Sequence, residues 1–287
     1  MLVLANCQNP ASVKPAPTTF NTLLSQALTF MARIFITGSA DGLGQLAARQ
    51  LVQQGHQVML HARSPERAAE AQAAVPQAEA AVHGDLSTLA GMRQVAEQVN
   101  ALGRFETVIH NAGIYQVPRL VPTAVGQPAL LAVNSLAPYV LTCLIERPAR
   151  LVYLSSGMHR QGDASLRDLT WQQRPWHTTQ AYFDSKLHDL LLSNAVARHW
   201  PSVLANAVDP GWVPTKMGGA GAPDDLAEGA RTQAWLAAGT DPAAHHTGQY
   251  LHHQRPSAAH PRAADVAVQE LFLAECTRLT GVAFPAA

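Results

Sequence analysis

From Arg33 onward the sequence alternates short, unbroken apolar runs with longer amphipathic stretches, and this alternation restricts the fold more than any single residue does. The short runs are Arg33–Thr37, Gln57–His61, Ala78–His83, Thr107–His110, Leu151–Leu154 and Val203–Val208. Each is apolar along its length rather than at every second position, as expected of strands covered on both faces. Between them Leu43–Gln54, Thr88–Ala101 and Gln180–His199 have helical spacing. Strands alternating with helices predict an α/β, Rossmann-type doubly wound parallel sheet, with right-handed crossovers and helices on both faces. No internal repeat or compositional break marks a second domain, so residues 32–287 are expected to form one domain. Residues 1–31 are expected to be a disordered N-terminal extension: they lack a basic leader segment, and Asn6, Gln8, Asn9 and Pro10 interrupt their apolar start.

Composition limits the partners. With 47% hydrophobic and 14% charged residues the chain suits a compact globular protein, and its formal net charge of zero gives no general attraction to nucleic acid. No run approaches the ~20 apolar residues of a membrane span. Cys7, Cys143 and Cys276 are odd in number and far apart, which fits a reducing, cytoplasmic setting without a disulfide framework. Five histidines fall between His245 and His260, but neighbours on an extended segment point opposite ways, and no metal site is expected there.

The first apolar run leads directly into Thr37-Gly38-Ser39-Ala40-Asp41-Gly42-Leu43-Gly44 and then a helix. Glycines at such a turn let the backbone approach a pyrophosphate, and the helix N-terminus offers free N–H groups to it. Strand, turn and helix in this order predict dinucleotide binding. An acidic residue after the second strand would favour an unphosphorylated ribose; here His61-Ala62-Arg63-Ser64 has none, and Arg63 can pair with a phosphate. NADP(H) is therefore expected, with NAD(H) as the alternative, because Asp41 adds a carboxylate beside the second glycine.

The glycine turn and the motifs that follow it resemble the short-chain dehydrogenases/reductases over about Arg33 to Gly281. The resemblance implies that Asp85-Leu86 receive the adenine and that Asn111-Ala112-Gly113 line the cofactor. Asp85 also suits the cap of the next helix. In Tyr182-Phe183-Asp184-Ser185-Lys186, helical spacing puts Tyr182 and Lys186 on one face. A free tyrosine titrates near pH ~10, and a neighbouring ammonium together with an oxidised nicotinamide is expected to lower that value. By resemblance Tyr182 is the general acid/base, Lys186 holds the nicotinamide ribose, and Asn134 anchors a water that leads to Lys186. Ser156 orients the substrate oxygen, with Ser155 the fallback. The stretch Pro210-Gly211-Trp212-Val213-Pro214-Thr215 is similar to the family's nicotinamide-binding segment, with the backbone near Val213 at the carboxamide, Thr215 at the carboxamide or a phosphate, and a substrate flap over about 214–226.

The interval from Ser156 to Tyr182 is long, and the insertion Met158 to Gln180 resembles the retinol-dehydrogenase-like branch. A small-molecule substrate, a bulky, apolar alcohol or carbonyl compound, is implied. Trp171, Trp176, His177 and Trp212 suit either its pocket or the core. Family members often pair through two long helices, here those carrying Asn134 and Tyr182, so a homodimer is a further implication. Two other functions fit the same motifs: a nucleotide-binding sensor or scaffold without turnover, and a reductase of carbon–carbon double bonds.

Overall fold

Eight strands in the order β3-β2-β1-β4-β5-β6-β7-β8 form one sheet in a computed structural model, which describes residues 31–123 and 126–286. The expectation of an N-terminal extension falls, apart from Met31, outside the described residues. Strands β1 (Arg33–Ile36), β2 (Gln57–Ala62), β3 (Ala80–His83), β4 (Thr107–His110), β5 (Arg150–Leu154) and β6 (Leu204–Asp209) pair in parallel. All six were expected, within two residues at each end. A parallel β7 (Tyr250–His252) and an antiparallel two-residue β8 (Arg255–Pro256) extend the sheet. They lie in the histidine-rich stretch, and Pro256 sits where a proline costs least, at the open edge.

The apolar runs are continuous because both faces of the sheet are buried. Along β1, Phe35 enters one core, with Met59, Tyr139, Leu190 and Phe272. Ile34 and Ile36 point the other way, into a core with Leu51, Leu60 and Ala230. Helices α1 (Gly42–Gln53), α2 (Pro65–Ala74) and α7 (Leu226–Ala238) cover this second face. Helices α3 (Leu89–Ala101), α5 (Ala137–Leu144), α6 (Thr178–His199) and α8 (Val266–Thr280) cover the first.

Asn134 lies in a widened π turn, Ala132–Leu136, between the short helix α4 (Ala129–Leu131) and α5. Pro138 explains the widening, since it has no N–H to give the Asn134 carbonyl four residues back. Helix α6 begins at Thr178 because His177 caps it, Nδ1 accepting from the Gln180 N–H at 3.1 Å. The insertion before it is tied down by two carboxylates. Asp168 accepts from the N–H groups of Gln172, Gln173 and Arg174, and Asp184 of α6 pairs with Arg174 at 2.8 Å.

Both helices expected to form a pairing face are covered within the single chain. From Ala181 to Val196 only Phe183 and Asn194 are even partly exposed, and Ala137 to Thr142 of α5 are buried. Helix α8 lies over α6, stacking Phe272 on His188, and the C-terminal segment packs Phe284 on Trp200.

Candidate active site

A cleft of about 670 Å³ opens at the carboxyl ends of β1 to β6, each of which delivers residues to it. This includes the point where strand order reverses between β1 and β4, the usual ligand position in doubly wound sheets. Its walls include Gly38, Asp41, Gly42, Leu43, Arg63, Asp85, Leu86, Asn111, Ala112, Gly113, Tyr182, Lys186, Pro210 and Thr215, all expected from the sequence. Ser39, Gly44, Gly211, Val213 and Asn134 do not form the wall, and each has identifiable work elsewhere; Ser156 is not on the wall either but directly follows Ser155, which is.

In the glycine turn, Gly38 (φ 63) and Gly42 (φ 56) occupy the left-handed region that glycine tolerates. Gly44 serves packing: a Cβ there would stand 2.6 Å from the Gly38 carbonyl oxygen and collide with the Asn111 side chain. Asn111 Nδ2 donates to the carbonyls of Thr37 and Gly38, clamping the turn from β4. Ser39 is fully buried, its hydroxyl donating to the Ile36 carbonyl and accepting from the His61 N–H. Its side chain therefore stitches β1 to β2 instead of facing a ligand. His61 adds a second stitch, Nδ1 accepting from the Gly38 N–H at 3.0 Å and Nε2 donating to the Gly84 carbonyl. Burial drops its pKa to about 4, so the ring is neutral and able to accept from Gly38.

Asp41 precedes α1 but provides no side-chain cap. Its carboxylate pairs instead with Lys216 at 2.8 Å and Arg67 at 3.2 Å. The first amides of α1 thus meet the cleft without a side-chain acceptor, which fits a bound phosphate. Arg63 is exposed at the cleft wall, and Arg67, in the first turn of α2, joins it there. Arg67 was not singled out from the sequence; its place on the wall depends on the angle at which α2 leaves β2. Asp85 closes a turn by accepting from the Ser87 N–H, and Thr88, not Asp85, caps α3.

Tyr182 and Lys186 project from adjacent turns of α6. Lys186 Nζ lies 5.6 Å from the Tyr182 ring centroid and donates to the Leu154 carbonyl at 2.6 Å and to Asp189 Oδ2 at 3.0 Å. Tyr115 packs on the Tyr182 ring, centroids 4.5 Å apart, and Met217 of the flap approaches the phenol oxygen at 3.9 Å. Burial raises the pKa of Tyr182; Lys186 opposes this, while Asp189, Asp209 and Tyr115 reinforce it. The ammonium exerts the expected effect, but burial outweighs it, so the free protein holds a protonated phenol.

Asn134 neither back-bonds to its own turn nor lines the cleft. It exchanges hydrogen bonds with both backbone groups of Ile114, at 2.8 and 2.9 Å, and donates to Ser185 at 3.1 Å. This holds the loop after β4 beside Lys186, whose Nζ would stand 3.8 Å from a Cβ placed on Gly113. Ser155 reaches the wall, but its hydroxyl donates to the Lys186 carbonyl. The Ser156 hydroxyl accepts from the Met158 N–H at 3.3 Å, and no acceptor for its proton occurs among the described residues.

After β6, Gly211 (φ 80) lets the chain turn beside Asp224. Val213 is buried against Gly229 of α7, and Thr215 lies over Gly42. Trp171 is buried, edge-to-face with Trp176, so the pair joins the apolar cluster beside Tyr182, whereas Trp212 is 59% exposed. His252 and His253 do not diverge as expected: His253 has φ 48, and the two rings stack 3.9 Å apart.

Comparison with known proteins agrees with this architecture. The family model for short chain dehydrogenases matches residues 32–156. The chain is 47% identical over 260 residues to an uncharacterized oxidoreductase of Emericella nidulans, covering 89% of this chain and 99% of that one. Retinol dehydrogenase 13 of Homo sapiens is 31% identical over 200 residues, 64% of this chain and 60% of that protein. Among solved structures, an uncharacterized protein of Mycobacterium paratuberculosis superposes with a TM-score of 0.76 at 27% identity, over 88% of this chain and 95% of that one. A metagenomic blue fluorescent protein in complex with NADPH has a TM-score of 0.63 at 22% identity, over 78% and 97%. Fold and sequence together define a Rossmann-type α/β oxidoreductase. The chain belongs to the short-chain dehydrogenase/reductase family, with lower similarity to its retinol dehydrogenases. No helix among the described residues is long and apolar enough to cross a membrane.

Proposed function

We propose that the chain is an NADP(H)-dependent oxidoreductase acting on an alcohol or carbonyl compound, with Tyr182 as general acid/base. The observation that carries this reading is the joining, in one cleft, of the buried Tyr182–Lys186 pair and an uncapped glycine-turn helix flanked by Arg63 and Arg67. The α1 amides would hold the pyrophosphate, Arg63 and Arg67 the 2′-phosphate, Asp85 and Leu86 the adenine, and Thr215 the nicotinamide end. Bound nicotinamide supplies or accepts the hydride. The protonated Tyr182 phenol gives its proton to the carbonyl oxygen in the reducing direction and recovers it in the other. Ser156, whose hydroxyl proton is uncommitted, orients that oxygen. Asn134 supports Tyr182, Lys186 and Ser156 by steadying Ile114 and Ser185 around Lys186. Ile114, Val133 and Met217 on the wall, beside Tyr115, suit an apolar substrate. A cytoplasmic setting accords with the free thiols of Cys143 and Cys276.

Cofactor titration with turnover on a carbonyl panel tests the proposal. The protein should bind NADPH more tightly than NADH and yield an alcohol product. Arg63→Ala should weaken NADPH about tenfold or more while leaving NADH within about twofold, since one charge-assisted phosphate contact is worth ~1.5–3 kcal/mol. Equal effects on both cofactors would remove the role of Arg63. Binding without turnover would instead favour a sensor, and a saturated carbon–carbon bond a double-bond reductase.

A further inference from the structure

Lys186 and Asp189 lie three residues apart on α6, and their 3.0 Å ion pair is almost fully enclosed, the side chains 7% and 3% exposed. Lys186 Nζ also donates to the Leu154 carbonyl at the end of β5. An ammonium has three N–H donors. Two are thus held by the protein, and one is left for the cleft. Other ionisable groups face this centre from the packed elements. Asp209 of β6 and Tyr115 of the loop after β4 act on Tyr182. Tyr153 of β5, stacked on His110 of β4, feels the charge of Asp189. Asp189 is the carboxylate that touches Lys186.

We propose that Asp189 is a positioning residue: it holds the Lys186 ammonium against the end of β5 and cancels its charge, so the Tyr182–Lys186 pair keeps its protons to higher pH. The proposal rests on the reading of Tyr182 and Lys186 given above. Net charge sets the direction. With Asp189 ionised, Lys186, Tyr182 and Asp189 together are neutral, and loss of a proton from either Tyr182 or Lys186 adds a buried negative charge. Without Asp189 the centre is positive, and loss of the same proton neutralises it. A buried site favours the neutral state, so the pair's first ionisation moves to lower pH whichever group releases the proton. Burial opposes the charge on Lys186, but Asp189 and Tyr182 together outweigh it; Asp189 adds to the burial that lifts the Tyr182 phenol, and burial lifts Asp189 itself to about 6, so it is ionised above that pH.

Asp189→Asn removes the charge while keeping an acceptor and the shape. In carbonyl reduction with NADPH, the alkaline limb of kcat/KM should move acidward by about one pH unit or more. Without cofactor, the gap in Tm between the parent and the variant should narrow as pH rises from about 6 to about 10. Over that range the unfolded variant keeps a proton that its folded form has shed, so its stability rises with pH. An unmoved profile with a pH-independent gap would reduce Asp189 to packing and overturn the proposal. If Asp189→Asn does not fold, Lys186→Met with Asp189→Asn, which removes both charges, should recover soluble protein; a double variant just as unstable would equally overturn it. Full activity of Tyr182→Phe would instead overturn the catalytic reading, while the stability comparison would still report on the ion pair.

Discussion

His61, His110 and His188 are buried imidazoles whose pKa values burial depresses to about 4, about 3 and about 4 from the ordinary 6.5. Each is neutral in the folded protein. Below about pH 6.5 the unfolded chain binds protons that the folded chain refuses, so stability is greatest above that value and falls as pH drops toward 4. The slope approaches ~1.4 kcal/mol per pH unit for each group. Denaturant titrations at about pH 7 and about pH 5 should therefore differ by several kcal/mol, and equal stabilities would show that these rings titrate normally. Residues differ in how far the sequence exposed their roles. Tyr182 and Lys186 were legible because helical spacing puts them on one face and the accompanying motifs resemble those of a known family. Ser39, His61 and Arg67 were not, because their roles come from contacts between segments more than twenty residues apart. Asp189 is near Lys186 in sequence, yet its importance lies in burial, which spacing does not disclose.

At the scale of elements, β1 to β6 were legible because burial on both faces leaves unbroken apolar runs, and α1, α3 and α6 because their apolar residues recur at helical spacing; α2, between β2 and β3, was not singled out. Strand β7 was not, being three residues long and held by its neighbours' ladder rather than by its own pattern. The covering of α6 by α8 was equally hidden: both helices carry apolar residues, and sequence does not say whether such a face meets a second copy or the chain's own C-terminus. Here Phe272 stacks on His188, and the Tyr139 hydroxyl bonds to Thr277 and the Val282 carbonyl. With α5 and α6 enclosed, the chain should be monomeric in light-scattering chromatography. A dimer that Phe272→Asp dissociates without unfolding the chain would show that this face is shared between copies.

For the whole molecule, six parallel strands end at one edge, and each contributes residues to the same cleft. Arg63 and Arg67 lie toward one end with the uncapped helix α1, Tyr182 and Lys186 belong to α6, and Lys216 and Met217 reach over from the flap to Asp41 and Tyr182. The cleft's residue types were largely readable from the motifs; which side chains face it, and which support it from behind, depended on packing. Catalysis through Tyr182 is the central claim, and comparing single-turnover hydride transfer from NADPH in the parent protein and in Tyr182→Phe tests it most directly. The variant should bind NADPH as the parent does and transfer hydride at least ~10²-fold more slowly, the usual contribution of a positioned proton donor. Transfer at the parental rate would contradict the account.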